Sequence, residues 1–200
     1  MPKTTLDLPP GRWLIVIAGS NGAGKSTFFD LFLRRKGFRF VNADVIAAGL
    51  AGDDPASLGY RAAQLADIER RALIARGDTF VMETVLSDPH GAKLTLLRDA
   101  KAAGYRVAFV FIGIDGPELS SARVMQRVAQ GGHDVPEDKL LARFPRTLAN
   151  ARAALELADA GWVFDNGNAD GPFRLVATTR DGRVIERHPP IPAWCARLDI

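Results

Sequence analysis

The stretch Gly19-Ser20-Asn21-Gly22-Ala23-Gly24-Lys25-Ser26-Thr27 constrains this chain more than any other. It fits G-x-x-x-x-G-K-[ST], the loop whose backbone N–H groups cradle phosphates. Gly19, Gly22 and Gly24 let those N–H groups face phosphate oxygens, where a β-carbon would obstruct the approach or the dihedrals. Lys25 then reaches the β- and γ-phosphates, and the Ser26 hydroxyl is placed to ligate Mg²⁺. The loop works only between a strand and a helix, and its flanks comply. Trp13–Ala18 is a short apolar run with the character of a buried strand. Phe28, Phe29, Leu31, Phe32 and Leu33 supply the apolar face of a helix whose N-terminus would meet the phosphates. ATP and Mg²⁺ are the cofactors this predicts.

The remaining chain alternates strand and helix signals after an irregular lead-in over 1–11. The P-loop helix should close near Lys36 and Gly37. Residues 38–41 read as the second strand, which ends in Asn42-Ala43-Asp44, and 49–57 as a loop. A helix follows over 58–76, with Leu58, Ala62, Leu65, Ile68 and Ala72 expected on its inner face and Gly77 as its stop. Residues 79–84 form a third strand carrying Glu83. A helix over 90–103 turns Leu94 and Leu97 inward and ends before Gly104. The strongest strand signal is 106–114, followed by a helix over 117–130 that Gly131-Gly132 breaks. Pro136 opens a helical stretch to about Ala160, kinked or interrupted at Pro145, and 162–164 is the fifth strand.

These strands are continuously apolar, which predicts a parallel sheet covered on both faces. Residues 173–179 and 184–188 flank Asp181-Gly182, a hairpin signal, and so form a β-hairpin at the edge of the sheet or beside it. Trp194 should pack the tail back on the body. The expected fold is a single α/β domain over 1–200, P-loop kinase-like and three-layered. It has a mostly parallel five-stranded core sheet, a helical lid at about 117–150 and the C-terminal hairpin.

Composition removes several function classes. The formal net charge is only +3, and no basic stripe with interleaved aromatics appears, so nucleic acid is not an expected partner. Cys195 is the single cysteine, which excludes an internal disulfide, makes a zinc site implausible and fits a reducing cytoplasm. No apolar run reaches the length of a membrane span, and 1–11 is not a signal peptide.

What is done with the nucleotide depends on carboxylates and arginines. Asp44 ends the second strand, at the sheet edge where open α/β folds bind ligands. It either accepts the proton of an attacking hydroxyl or merely caps the helical turn that follows. Glu83 closes the third strand; it binds substrate hydroxyls or water-bound Mg²⁺, or is a solvated strand end. Asp115 superficially resembles a Walker B carboxylate, but Glu83 is better placed if the third strand lies beside the P-loop strand. Arg123, Arg127, Arg143 and Arg146 cluster in the lid segment, and about half of them should be ordinary solvated side chains.

Taken in order, the P-loop, Asn42-Ala43-Asp44, Phe80-Val81-Met82-Glu83-Thr84, Gln126-Arg127-Val128, Gly131-Gly132-His133-Asp134-Val135-Pro136 and Asp165-Asn166-Gly167 resemble the zeta toxin family of P-loop kinases, closest to its short stand-alone bacterial members. The likeness runs from about Leu14 to Asn166. It implies a kinase in which Lys25 and Ser26 bind ATP and Mg²⁺, and Asp44 is the base on a substrate hydroxyl. Arg127 and Arg143 would close over the phosphates, Glu83 and Thr84 would line the sugar site, and Asn166 would lie near the adenine. Family members phosphorylate the 3′-hydroxyl of UDP-N-acetylglucosamine, so a nucleotide sugar is the implied small-molecule partner. The chain departs from the family at Gly131-Gly132-His133, near where a second lid arginine is expected. No antitoxin is identifiable from the sequence. Open alternatives are a kinase of another hydroxyl, such as an antibiotic or simple sugar, and an NTP-hydrolysing switch.

Overall fold

The computed structural model describes residues 6–51, 54–130 and 135–200. All six side chains of β1 (Trp13–Ala18) are buried, as a strand covered on both faces requires. β3 (Phe80–Thr84) and β4 (Arg106–Gly113) pair with it in parallel on either side. β2 (Arg39–Val41) adds to β3, and β5 (Ala160–Asp165) adds to β4, also in parallel. The register sets Ile17 opposite Glu83 and Ala18 opposite Thr84, so Glu83 emerges beside the start of the P-loop.

The hairpin of β6 (Arg174–Arg180) and β7 (Arg183–Arg187) continues the sheet antiparallel from β5. The order is β2-β3-β1-β4-β5-β6-β7, seven strands in all: the five expected parallel strands, with the hairpin at the sheet edge, the first of its two expected placements. Pairing β6 satisfies backbone groups that the edge of β5 would otherwise leave open. Asp181 (φ 48°) and Gly182 (φ 73°) are both at positive φ, as a two-residue type I′ turn demands.

Two cores flank the sheet. One lies under the P-loop helix, where Phe28, Phe29 and Leu33 meet Ile15, Ile17, Val110 and Phe164. That helix is a short α-turn, α1 (Lys25–Phe28), continued by a π-helical turn over Phe29–Leu33 and a 3₁₀ turn over Arg34–Lys36, before Gly37. The other core lies under α4 (Ala92–Ala102) and α6 (Glu137–Leu157), which bury Leu94, Leu97, Leu148, Ala151 and Leu155. Trp194 joins this side, its ring 5.8 Å from Phe111 and so close over Gly113 that a β-carbon there would lie 2.3 Å from the indole. The tail thus packs back on the body as expected.

Three expectations need correction. α3 (Pro55–Arg76) begins earlier than Leu58 and buries Ala62, Ala66, Arg70 and Leu73, not the stripe of larger residues. Leu65 and Ile68 are exposed at 42% and 65%, and Ala72 is exposed too. Small residues let α3 approach closely, and Arg70 is tolerated because Asp67 receives its charge. α6 runs unbroken through Pro145. The carbonyl that Pro145 leaves without a donor belongs to Leu141, on the solvent side, while Leu140, Thr147 and Leu148 hold the buried face. β5 is twice the expected length, since Ala160 and Asp165 still pair with β4.

The 117–150 segment, expected as a lid, supplies α5 (Gly116–Ala129) and most of α6. α5 buries Ser120, Ser121 and Val124. Its Gly131-Gly132-His133-Asp134 turn lies outside the described residues, as do Gly52 and Asp53 in the 49–57 loop.

Candidate active site

The P-loop occupies the C-terminal end of β1, and its glycines are sterically required. Gly24 sits at φ 93°, and a β-carbon there would fall 2.6 Å from Asn166 Nδ2; one on Gly19 would fall 2.3 Å from the Ile112 carbonyl oxygen. Asn166 is buried, donating Nδ2–H to the Ala23 carbonyl at 2.9 Å and accepting from Phe173 N–H at 3.2 Å. It braces the P-loop from beneath, with one Nδ2–H and Oδ1 engaged by backbone.

Lys25 is 7% exposed and donates to the Ser20 carbonyl at 3.0 Å. Burial lowers its pKa from the ordinary lysine value, while the charges of Glu83 and Asp44 pull it back up and Arg127 adds to the lowering. Glu83 lies at the centre of this site. Its Oε1 is 3.8 Å from Lys25 Nζ, and its Oε2 accepts from Ser26 Oγ and Asn42 Nδ2, each at 2.8 Å. With a side chain 9% exposed it is no solvated strand end. Ser26 Oγ and the Glu83 carboxylate are the hard oxygen donors that Mg²⁺ takes alongside substrate phosphates. Among the described residues, no group of three or more His, Cys, Asp or Glu offers another metal site.

Asn42 caps α2 (Ala43–Ala48), its Oδ1 accepting from the N–H groups of Asp44 at 2.7 Å and Val45 at 3.4 Å. The capping role is therefore filled by a residue other than Asp44. Asp44 sits in the first turn, exposed, and among the described residues its carboxylate makes no hydrogen bond.

Two cavities meet at this point. One, of about 260 Å³, is walled by the P-loop with Lys25, Ser26, Arg123 and Arg127. The other, of about 290 Å³, is walled by Asn42, Arg70, Thr84, Ser87, Lys93 and Arg143. Asp44, Glu83 and Val85 belong to both. A larger recess of about 730 Å³, between Trp13, Arg106, Trp162 and Arg180, lies at the N-terminal edge of the parallel strands, away from the phosphate loop. It has no place in this chemistry.

The four arginines separate by position. Ser120, Arg123 and Arg127 form an i, i+3, i+7 stripe on α5 facing the P-loop. Ser120 Oγ donates to the Asn21 carbonyl at 2.7 Å, and Arg123 Nη1 approaches the Gly22 carbonyl at 3.4 Å. Arg127 lines the phosphate cavity and Arg143 only the second one. Arg146 Nε donates to the Ser87 carbonyl at 3.0 Å, and Thr147 and Asn150 bond the carbonyls of Val85, Leu86 and Asp88. These three residues of α6 hold the loop after β3 in place. Thr84 Oγ1 accepts from Leu86 N–H at 3.0 Å and faces the second cavity. Asp115 is exposed at the head of α5. Ser120 was not singled out from sequence, although its helical spacing with Arg123 and Arg127 was legible there.

A family model described as an AAA domain matches residues 14–152. The chain belongs to that family. A curated relative from Haemophilus influenzae, described as an uncharacterized protein, is 31% identical over 139 residues, covering 65% of this chain and 91% of its own length. Among solved structures, a chain of the AvrRxo1-ORF1:ORF2 complex with ATP superposes with a TM-score of 0.69 at 21% identity, over 87% of this chain and 60% of that one. A chain of the PezAT chromosomal toxin–antitoxin system of Streptococcus pneumoniae gives a TM-score of 0.61 at 16% identity, over 98% and 80%. A putative kinase from Chloroflexus aurantiacus gives 0.53 at 17%, over 67% and 79%. This chain spans about three fifths of the AvrRxo1 chain. The shared feature is the α/β P-loop kinase-like fold. No helix among the described residues is long and apolar enough to cross a membrane.

Proposed function

We propose that this protein is a kinase that transfers the γ-phosphate of ATP to a hydroxyl of a small molecule held in the second cavity. The observation that carries this reading is the shared wall: Asp44 and Glu83 border both the phosphate cavity and its neighbour. A switch ATPase needs only the first cavity, with water as nucleophile. A kinase needs a second compartment whose occupant reaches the γ-phosphate past a carboxylate.

In this reading the acceptor hydroxyl lies against Asp44. As its oxygen attacks the γ-phosphorus, the proton passes to the Asp44 carboxylate, and the bond to the β–γ bridging oxygen breaks to release ADP. Lys25, Arg127 and Arg123 bring positive charge to the oxygens on which negative charge develops. Ser26 and Glu83 would hold Mg²⁺, which when bound neutralises phosphate charge. Thr84, with Oγ1 already accepting from Leu86, has its own O–H left to donate to an acceptor oxygen. Arg143 serves the acceptor and not the phosphate.

The resemblance to zeta toxins, joined by the structural likeness to a PezAT chain, makes the 3′-hydroxyl of UDP-N-acetylglucosamine the first acceptor to test. PezAT and AvrRxo1-ORF1:ORF2 are two-protein systems, and an inhibitory protein partner belongs to the same reading.

The test is γ-labelled ATP with a panel of hydroxyl acceptors, with products located by mass and NMR and a parallel incubation without acceptor. Transfer to one acceptor with slow hydrolysis alone is expected. Brisk hydrolysis that no acceptor alters would sink the kinase reading. Transfer only to acceptors other than UDP-N-acetylglucosamine would keep the kinase and remove the toxin-like substrate.

A further inference from the structure

The recess of about 730 Å³ at the N-terminal edge of the parallel strands has the size of a small-molecule site, about 300–1,000 Å³. It arises because the two faces of the sheet are covered unequally. Helices α3, α4 and α6 and the tail pack on one face, whereas the other carries chiefly the short P-loop helix and the segment around Leu6. On that second face the register sets Ala160 between Ala108 of β4 and Arg180 of β6, which leaves a low floor. Trp162 rises two residues further along the same face, with Thr178 beside it on β6. Trp13 and Arg106, paired across β1 and β4, form the opposite flank.

The charges of the recess are left unmatched. Its ionisable side chains are Arg106, Arg180, Asp7, Asp159 and Asp181. Asp159 is occupied from outside, accepting from Lys101 Nζ at 2.8 Å and from Val107 N–H at 2.7 Å. Arg106 lies over the Trp13 ring, its guanidinium carbon 5.6 Å from the centroid, and its N–H groups have no acceptor among the described residues. Arg180 has no side-chain partner among them either. Asp7 and Asp181 stand exposed and pair with neither arginine. Three carboxylates thus share the recess, and none neutralises a guanidinium there. Two indoles present flat apolar faces, guanidinium planes stack on aromatic rings, and their in-plane forks match a carboxylate or phosphate.

We propose that this recess binds a planar aromatic anion, its ring over Ala160 between Trp13 and Trp162 and its anionic group received by Arg106 and Arg180. The site is separate from the kinase chemistry, since neither cavity at the phosphate loop shares a lining residue with it. The competing reading is an open sheet face with two solvated arginines, which binds no anion in preference to a neutral ring.

The test is a backbone-amide NMR titration of the full chain saturated with Mg²⁺ and a non-hydrolysable ATP analogue, so that the phosphate loop is already filled. The probes share one ring system: 1-naphthoate, 1-naphthyl phosphate and the neutral 1-naphthamide. At least one anionic probe should shift the amides of Arg106, Gly161 and Thr178 and bind about tenfold or more tighter than the naphthamide, as one charge-assisted hydrogen bond supplies. Which anion does so distinguishes a carboxylate ligand from a phosphate one. Arg180→Gln should remove most of the preference with an unchanged thermal melt, because that side chain is exposed and unpaired. Ala160→Leu, which raises the floor, should weaken all three probes; if it melts early, Arg106→Gln and Arg180→Gln decide the matter between them. Equal affinities, no binding of either anion, or shifts confined to the phosphate loop and the second cavity would overturn the proposal. So would a preference that neither arginine variant reduces.

Discussion

Asp44→Asn separates chemistry from architecture unusually well. The side chain is exposed, and the cap of α2 is Asn42, so replacing Asp44 breaks no hydrogen bond of the fold. What folding loses is a first-turn carboxylate at a helix N-terminus, about 0.3–1 kcal/mol. ATP binding should change little, because the P-loop amides and Lys25 carry the phosphate contacts. Asp44 does help keep the buried Lys25 charged, but bound phosphates replace that support. The step that loses its proton acceptor should slow by about 10²–10⁴, or about 3–5 kcal/mol of barrier. The assay is single-turnover transfer from γ-labelled ATP to the acceptor, with nucleotide affinity by calorimetry and a thermal melt as controls. Near-normal transfer in Asp44→Asn would remove the base. A rate loss matched by an equal loss of ATP affinity would mean that Asp44 acts on the nucleotide, not on the hydroxyl.

Glu83→Gln leaves Lys25 buried without its carboxylate. Because Gln still accepts from Ser26 and Asn42, the cost should stay below the about 3–5 kcal/mol of a fully broken buried pair, near 1–2 kcal/mol or about 2–8 °C in the melt of the nucleotide-free protein. Magnesium and ATP should restore part of that loss, and equal melts of variant and parent without nucleotide would contradict the pairing. Arg127→Ala should lower turnover by about 10²–10³ with ATP affinity largely kept, whereas Arg146→Ala, whose guanidinium holds the Ser87 carbonyl, should act through thermal stability. A reversal of the two in steady-state kinetics would refute this division. Cys195 is fully buried and its thiol is pushed up to about 12 by burial, from an ordinary 9.0. The folded state therefore holds its proton between pH 9.0 and about 12 while the unfolded chain releases it, so this residue's contribution to stability is complete below pH 9.0 and falls as pH rises through that window. An aromatic disulfide reagent at pH 8 should leave the native thiol unreacted and titrate it after unfolding; rapid reaction of the native protein would show the burial to be wrong.

The sequence by itself determined the parts whose physics is local. A strand, a glycine loop and a helix in succession specify a phosphate cradle, because the need for positive φ and close backbone approach falls on neighbouring residues. Continuous apolar strands implied a parallel sheet, and Asp181-Gly182 implied the turn, since both follow from nearest-neighbour sterics. The phase of α3 was misread because Leu65 and Ile68 dominate any hydrophobic count, whereas burial was awarded to Ala62, Ala66 and Leu73 by how closely a helix can lie on the sheet. Pro145 was read as a kink or an interruption because the cost of a lost N–H is local, while the packing of Leu140 and Leu148 that carries the helix through it is not.

Only the tertiary structure decided what the site is. That Glu83 lies beside the P-loop depends on β3 pairing with β1, a contact between strands more than sixty residues apart. That Asn42 caps α2 and leaves the Asp44 carboxylate without a hydrogen bond among the described residues depends on backbone geometry no spacing rule distinguishes from the reverse. Arg123, Arg127, Arg143 and Arg146 look alike in one dimension; their separation between phosphate, acceptor cavity and loop support arises from which way α5 and α6 face once the cores close. Arg70 had no signal at all, for a charge on an apolar helix face reads as solvated until a counter-ion from α3 and another cation from α4 are brought to it.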